Sequence, residues 1–339
     1  MLPSATAPEK EAQFTDLATL RDALENDFST ELRHTTLDRL DIRADGSLAA
    51  DGRQAPYQQA LLESLARDIG MGLPYAYNIP FELFKYNINA LKQQCTREVV
   101  LCLHRGVVIN SAKVGYRPAR TLDLLDAIER EKFWTFQRAQ ISDQGIEVNY
   151  IHPESNVGPE PGDTIQRGVR ISNSETGFRG LKASKFALRL ACSNGAVISD
   201  RLGVARWNFD KRITYDSSVA KFVKDLGKLQ GREDNLREIY QNSAQQTLLD
   251  TEFCRLYRRL RMSLPTDTVD AILEVDPEER RRLHTAVRER PERATPAQTL
   301  WRVYEVHNRI TAAPQRLGFS QQNRLERIGG DLLTRTSGN

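Results

Sequence analysis

The chain has 339 residues, of which 40% are hydrophobic and 27% charged, and its formal net charge is only +3. This composition indicates a globular chain of one large or two ordinary domains, and four scattered cysteines exclude a disulfide-stapled scaffold. The apolar runs are too short to cross a bilayer and the first residues do not resemble a secretory signal, so we expect a cytoplasmic protein without a membrane partner.

The first third of the chain predicts helices that follow a loosely ordered start. Residues 1–55 contain turn and linker chemistry around one short helix, Leu17–Asn26. Apolar residues at helical spacing predict a second helix from Tyr57 to Ile69, and Gly70 stands where a C-terminal cap belongs. An aromatic loop then leads to a third helix over Pro80–Gln94.

The middle of the chain alternates between strand and helix patterns. Residues 97–113 predict two strands joined by a turn at 104–106, and residues 121–140 predict a helix with Thr121 as its cap. A strand over 145–153 precedes a loop rich in proline and glycine at 154–163.

Residues 164–200 predict further strands. One strand covers 164–172, and a second hairpin follows with Asn194 and Gly195 at its turn, because this dipeptide tolerates the positive φ of a two-residue turn. After Asp216 every periodic segment is helical.

This order of elements predicts the α+β class. An antiparallel, hairpin-rich sheet of about six strands lies mid-chain, flanked by N-terminal helices and an all-helical C-terminal part. We divide the chain into a loosely ordered region (1–55), an α+β core domain (56–215) and a helical region (216–339).

Motifs for cofactor chemistry are missing from the sequence. No phosphate loop or nucleophile elbow occurs, the cysteines lack zinc spacing, and the five histidines stand apart, so we expect no cofactor and no metal.

Glu175 is the most informative acid, because it lies in a turn with Asn173 and Ser174. As a metal-binding catalyst it would need a second acid, such as Asp200 or Asp210. Alternatively, the three side chains satisfy the backbone of the turn, with Glu175 paired to an arginine, or they support contacts to DNA.

Basic residues are concentrated around the predicted sheet, where acids are few and aromatic residues are interleaved. Such a pattern is typical of single-strand binding, since cations bind phosphates and aromatic rings stack on bases. The alternative is a sheet face covered by its own helices. The candidate nucleic-acid-binding residues are Arg167, Arg170, Arg179, Lys182, Lys185, Arg189, Arg201, Arg206, Lys211 and Arg212.

At these residues the sequence resembles the DUF932 group of phage- and plasmid-like proteins, over roughly residues 55–315. The resemblance depends mainly on the stretch RGVRISNSETGFRGLKASKFALRLACSNG, in which an Asn-Ser-Glu-x-Gly turn joins two strands. The family usually shows a different run around Tyr116. A hairpin-rich basic sheet is also similar in architecture to Rad52-type annealing proteins, which implies an oligomer that holds one DNA strand.

Three functions follow as hypotheses. The first is a non-enzymatic, mobile-element protein that binds or anneals single-stranded DNA in recombination or replication as a homo-oligomer. The second is a metal-dependent enzyme on nucleic acid centred on Glu175. The third is a non-catalytic protein-interaction module of phage or plasmid origin.

Overall fold

The computed structural model describes residues 7, 9–43, 45, 47–132, 134–157, 165–189, 195–196, 204–206, 214–230, 236–288, 301–312, 317 and 319–335. Within these residues the fold combines antiparallel sheets in the first two thirds with helices in the last third. The predicted α+β class is therefore confirmed.

The N-terminal segment contains more regular structure than its composition indicates. Its elements are β1 (Glu11–Phe14), α1 (Leu17–Asn26), β2 (Thr30–Thr36), a 3-10 turn (Leu37–Arg39), β3 (Leu40–Ile42), β4 (Leu48–Ala50) and β5 (Arg53–Ala55). The helix α1 has the predicted bounds and begins after Asp16, whose carboxylate accepts a hydrogen bond from the Thr19 N–H at 2.8 Å. Strands β1 and β3 to β5 were missed because three or four residues are too few to show a period-2 pattern. The seven-residue strand β2 was missed because its only strongly apolar residue is Leu32.

The next segment matches its prediction closely. It contains α2 (Gln59–Asp68), α3 (Leu73–Asn78), α4 (Phe81–Lys92), β6 (Glu98–His104) and β7 (Val107–Lys113). Gly70 follows α2 with φ of +79°, as a C-terminal glycine cap requires. Arg105 and Gly106 both have positive φ, the geometry of a tight hairpin turn between β6 and β7. The aromatic loop differs, because most of it forms α3.

The following elements supply the largest sheet. They are α5 (Thr121–Arg130), β8 (Thr135–Ser142), β9 (Gly145–Val157), β10 (Ile165–Asn173), β11 (Lys182–Arg189), β12 (Gly195–Ala196) and β13 (Val204–Arg206). The helix predicted over 121–140 is wrong in its second half, since Thr135 already begins a strand whose Ala139 and Ile141 are buried. Gly195 lies in a strand opposite Leu188, so the chain reverses before it, while Asn194 lies outside the described residues.

The described strands form three sheets. The main sheet has the order β1-β8-β9-β10-β11-β12, with β13 also paired to β11; the second sheet is β2-β6-β7 and the third is β3-β4-β5. Helices α1, α5 and α6 (Tyr215–Gln230) bury their apolar stripes in the core of the main sheet. Helices α2 to α4 share a second core with the two smaller sheets.

The remaining helices build a core of their own. They are α7 (Leu236–Gln245), α8 (Asp250–Arg261), α9 (Thr266–Leu273), α10 (Pro277–Arg288), α11 (Val303–Ala312) and α12 (Phe319–Arg335). Helix α6 packs with the main sheet, so the separate helical core begins with α7 and not at residue 216. Among the described helices, none is both long enough and apolar enough to cross a membrane.

Candidate functional site

The Asn-Ser-Glu-x-Gly turn, Asn173–Gly177, leaves the end of β10 and is fixed from several sides. The Asn173 Nδ2 donates to the Ala119 carbonyl at 2.7 Å and to the Thr121 hydroxyl at 3.1 Å. The Ser174 hydroxyl accepts the Phe178 N–H, and the Thr176 hydroxyl donates to the Asp143 carbonyl. Gly177 has φ of +87°, in the left-handed region that favours glycine. We call these five residues the motif turn.

Glu175 serves the neighbouring helix instead of its own turn. Its Oε1 accepts the Thr121 N–H at 2.7 Å, at the first residue of α5. No side chain of the residue before α5 caps this end. A carboxylate at a helix N-terminus satisfies an orphan N–H and interacts favourably with the helix dipole. This hydrogen bond goes to a backbone N–H, and an arginine partner for Glu175 stays a prediction.

Tyr116 fixes the same turn from β7's side. Its hydroxyl donates to the Ser174 carbonyl at 2.9 Å, and burial raises the pKa of this phenol above its usual range. Although the sequence departs from the usual family run around it, the tyrosine has a clear structural role.

Among the predicted basic residues whose burial the structure describes, Arg170 and Lys185 are buried. Arg170, on β10, forms ion pairs with Glu326 of α12 at 2.5 Å and with Glu147 of β9 at 3.6 Å, and its Nε donates to Asn149. Lys185 on β11 is buried as well. These side chains are enclosed by the protein, which argues against contacts to phosphates; here the alternative of a sheet face covered by a helix describes the geometry better.

Arg179 is intermediate between the two interpretations. Its Nη1 donates to the Glu147 Oε1 at 2.9 Å, yet 35% of the side chain is exposed. It is therefore held against the sheet while one side faces solvent.

The other predicted basic residues are placed only in part. Arg167 and Lys182 are partly exposed on β10 and β11. Arg189 ends β11, and the backbone of Arg206 pairs with that of Lys182. Arg201, Lys211 and Arg212 lie outside the described residues, as do Asp200 and Asp210.

A pocket of about 610 Å³ opens beside the motif turn, between α2, β7 and the loop after β8. It is lined by the amides of Gln58, Gln59, Asn110 and Gln144, the hydroxyls of Ser64 and Ser111, the charged groups of Glu9, Glu63 and Arg67, the ring of Phe178, and Ala7, Ala60 and Gly177. We call it the motif pocket. Its volume lies within the range of small-ligand sites, although its walls are more polar than most.

Behind this pocket lies a buried chain of three side chains that the sequence did not bring together. The Thr30 hydroxyl is 3.0 Å from the His104 Nε2, and the His104 Nδ1 is 3.1 Å from the Asp143 Oδ1. Asp143 also accepts the Lys10 N–H at 2.8 Å and the Gln58 amide at 2.5 Å. Burial by itself would raise the pKa of Asp143, but the hydrogen bonds from His104, Lys10 and Gln58 lower it.

This hydroxyl–imidazole–carboxylate order resembles a hydrolase triad, but its surroundings favour a structural role. The cavity beside it measures about 20 Å³, room for about one water and for no substrate. His104 and Asp143 are both buried. These three side chains therefore connect β2 and β6 of the second sheet to the turn between β8 and β9 of the main sheet.

Metal ligands are not clustered in the part of the chain that the structure describes: it contains no group of three or more His, Cys, Asp or Glu side chains able to hold an ion. Its three cysteines, Cys95, Cys102 and Cys254, are unpaired thiols. Burial raises the pKa of the Cys102 thiol to about 12, so this group stays protonated and unreactive.

In the comparison with known families, residues 111–327 match the model described as "Domain of unknown function (DUF932)". No curated protein and no solved structure matches the chain, and the analogy to Rad52-type proteins is not confirmed. The matched range begins at the end of the β6–β7 hairpin, later than the resemblance indicated, and it includes the whole motif turn. This match covers more than half of the chain, and the chain therefore belongs to the DUF932 family.

Proposed function

We propose that this protein binds single-stranded nucleic acid without catalysis, as a protein of phage or plasmid origin, and that the motif pocket takes an unpaired base. The observation that carries the proposal is the composition of this pocket, where a partly exposed aromatic ring, Phe178, stands among amide side chains. Aromatic rings stack on bases of any sequence, and amides offer both donors and acceptors to base edges.

Charge favours a base over a phosphate inside the pocket. Two carboxylates, Glu9 and Glu63, line it, against one guanidinium, Arg67. Phosphates would instead contact exposed cations, one in the pocket lining and one on the sheet. Arg67 is well exposed in a long ion pair of 3.4 Å with Glu63, and Lys182 lies partly exposed on β11. Exposed pairs of this kind cost little to rearrange.

The experiment is a titration of a fluorescein-labelled single-stranded oligonucleotide, followed by anisotropy at several salt concentrations. Phe178→Ala should weaken binding by about 1–3 kcal/mol, the usual effect of losing one stacking platform. Lys182→Ala should lower the salt slope by about 0.7 if the lysine neutralises one phosphate. Tyr86→Ala is the matched control, because Tyr86 is an exposed ring on α4 away from the motif pocket.

Two results would overturn the proposal. One is the absence of binding at low salt with a folded protein. The other is an equal loss of affinity in Phe178→Ala and Tyr86→Ala, which would indicate unspecific contacts. Double-stranded DNA and RNA of the same sequence distinguish the preferred nucleic acid, and light scattering of the complex tests the predicted homo-oligomer.

The alternative of a metal-dependent enzyme gains no support from the position of Glu175. Its carboxylate is used at the N-terminus of α5, so a metal would have to displace the Thr121 N–H. The third hypothesis, a protein-interaction module, concerns a different surface, which lies in the helical part of the chain.

A further inference from the structure

A groove of about 350 Å³ runs between α8 and α12 in the helical core. Its floor is apolar and consists of Leu248, Leu256, Ile328 and Leu332, which are buried members of that core. We call it the α8–α12 groove. It is distinct from the motif pocket and shares no lining residue with it.

Leu249 stands at the edge of this groove with 67% of its surface exposed. Its backbone is fixed, because the Leu249 N–H donates to the Glu252 Oε2 at 2.9 Å and its carbonyl accepts the Phe253 N–H. A large apolar side chain is thus presented to solvent from a rigid helix start. Burial of the exposed Leu249 side chain against a partner would make the free energy of binding more favourable.

The outer face of α8 is basic. Arg255, Arg258, Arg259 and Met262 have the i, i+3, i+4, i+7 spacing of one helix face. Arg255 and Arg259 also line the groove, and Met262 is 70% exposed. Arg259 is held by Asp331 of α12 at 2.6 Å, which fixes its guanidinium at the edge of the groove.

We propose that the α8–α12 groove binds an acidic amphipathic helix of a partner protein. Apolar side chains at i and i+3 or i+4 of the partner would pack on the leucine floor and against Leu249, while its carboxylates would face Arg255 and Arg258. The charge of the α8 face selects an acidic partner over a basic one. A nucleic acid fits less well, since the described residues that line this groove include no aromatic ring to stack on a base.

The test selects peptides from a phage-displayed library of random sequences about 14 residues long, or about four helical turns, on the full-length protein. Enriched peptides should share a net negative charge and apolar residues three or four positions apart. The most enriched peptide is then synthesised with a fluorescent label and titrated by anisotropy.

Two variants locate the binding surface, and each has a control of the same chemistry elsewhere. Leu249→Asp should weaken the peptide by tenfold or more, whereas Val114→Asp, at another exposed apolar residue, should leave affinity unchanged. Arg255→Glu should also weaken it by about tenfold, whereas Lys224→Glu on the exposed face of α6 should not. Circular dichroism and melting curves establish that all four variants fold.

Several outcomes would overturn the inference. Enriched peptides without the acidic and apolar pattern, or equal binding by a scrambled peptide, would leave no specific groove. Displacement of the peptide by single-stranded DNA would make the α8 arginines part of a nucleic-acid surface. A wild-type dimer that Leu249→Asp converts to a monomer would make the occupant a second copy of this chain. The oligonucleotide assay with Phe178→Ala tests the motif pocket separately, so failure of the peptide experiments would not decide the proposed function.

Discussion

At the residue scale, Glu175 links the motif turn to the start of α5. Glu175→Ala should lower the free energy of unfolding by about 0.5–2 kcal/mol, the usual cost of losing an N-terminal cap. Glu175→Gln should cost about 1 kcal/mol or less, because the amide oxygen still accepts the Thr121 N–H and only the charge next to the helix dipole is lost. Urea denaturation of both variants measures these differences. Equal losses in the two would show that the charge, and not the hydrogen bond, is what matters.

Asp143 makes stability depend on acid pH. The pKa of its carboxyl is lowered in the folded protein, so its contribution is fully present above the unfolded pKa of about 3.9 and is lost as pH falls through the folded value. Asp143→Asn should therefore be less stable than wild type at pH 7, and the difference should shrink as pH falls below about 4. Urea midpoints measured from pH 7 to pH 3 test this. A constant difference across that range would contradict it.

At the element scale, a buried charge cluster fastens α12 to the main sheet. Glu326 of α12 accepts from the Arg138 Nη2 at 3.0 Å and pairs with Arg170 at 2.5 Å. Burial lowers the pKa of Arg138, whereas at Arg170 the effect of burial is outweighed by Glu326 and Glu147, and the pKa is raised. The two arginines therefore depend on the same carboxylates for their charge balance.

Removal of Glu326 should be costly. Glu326→Gln leaves two buried guanidinium groups with less compensation, for which about 3–5 kcal/mol is the usual loss in the free energy of unfolding. Glu305→Gln is the matched control, because the Arg302–Glu305 pair is exposed and 4.0 Å long, and it should change stability by less than about 1 kcal/mol. Thermal and urea unfolding of both variants give the comparison. Similar small losses would mean that α12 is held by its apolar contacts alone.

At the scale of the whole molecule, the DUF932 match and the folded unit have different bounds. The match starts at residue 111, but the main sheet begins with β1, and Leu20 and Leu24 of α1 are buried in its core. A fragment of residues 111–339 should therefore expose the edge of β8 and part of this core. We expect it to bind a hydrophobic dye and to lose its near-UV circular dichroism. A chain lacking only residues 1–6 keeps β1 and should behave as wild type; a cooperatively unfolding 111–339 fragment would contradict the prediction.

The elements predicted well from sequence are those set by local rules. The helix α1 has a capping aspartate, α2 ends at a glycine, and the β6–β7 hairpin turns at Arg105 and Gly106. Strand β8 was assigned to a helix because the apolar residues from 133 onward were taken as a continuation of the α5 stripe, although the four charged residues 129–132 separate the two. Local patterns cannot show which distant strand supplies the partner backbone.

The candidate site was harder to predict, because its contacts join distant parts of the chain. The motif turn was found as a polar turn, yet the partner of Glu175 lies 54 residues earlier and that of Arg170 lies on α12. His104 ends β6 of the second sheet, whereas Asp143, 39 residues later, lies in the turn between β8 and β9 of the main sheet. The clustering of basic residues in the sequence also does not show which arginines are exposed and which form ion pairs inside the protein.

The pairing of β1 with β8 has a consequence for synthesis on the ribosome. Lys10 and Asp143, which are bonded beside these strands, are 133 residues apart, so the first strand emerges long before its partner has been made. At about 5–20 residues per second, this interval lasts on the order of ten seconds. For that time β1 is an unpaired edge, protected mainly by its brevity and by the exposed charge of Glu11. The nascent N-terminus is therefore the segment of the main sheet that a chaperone would have to shield for longest.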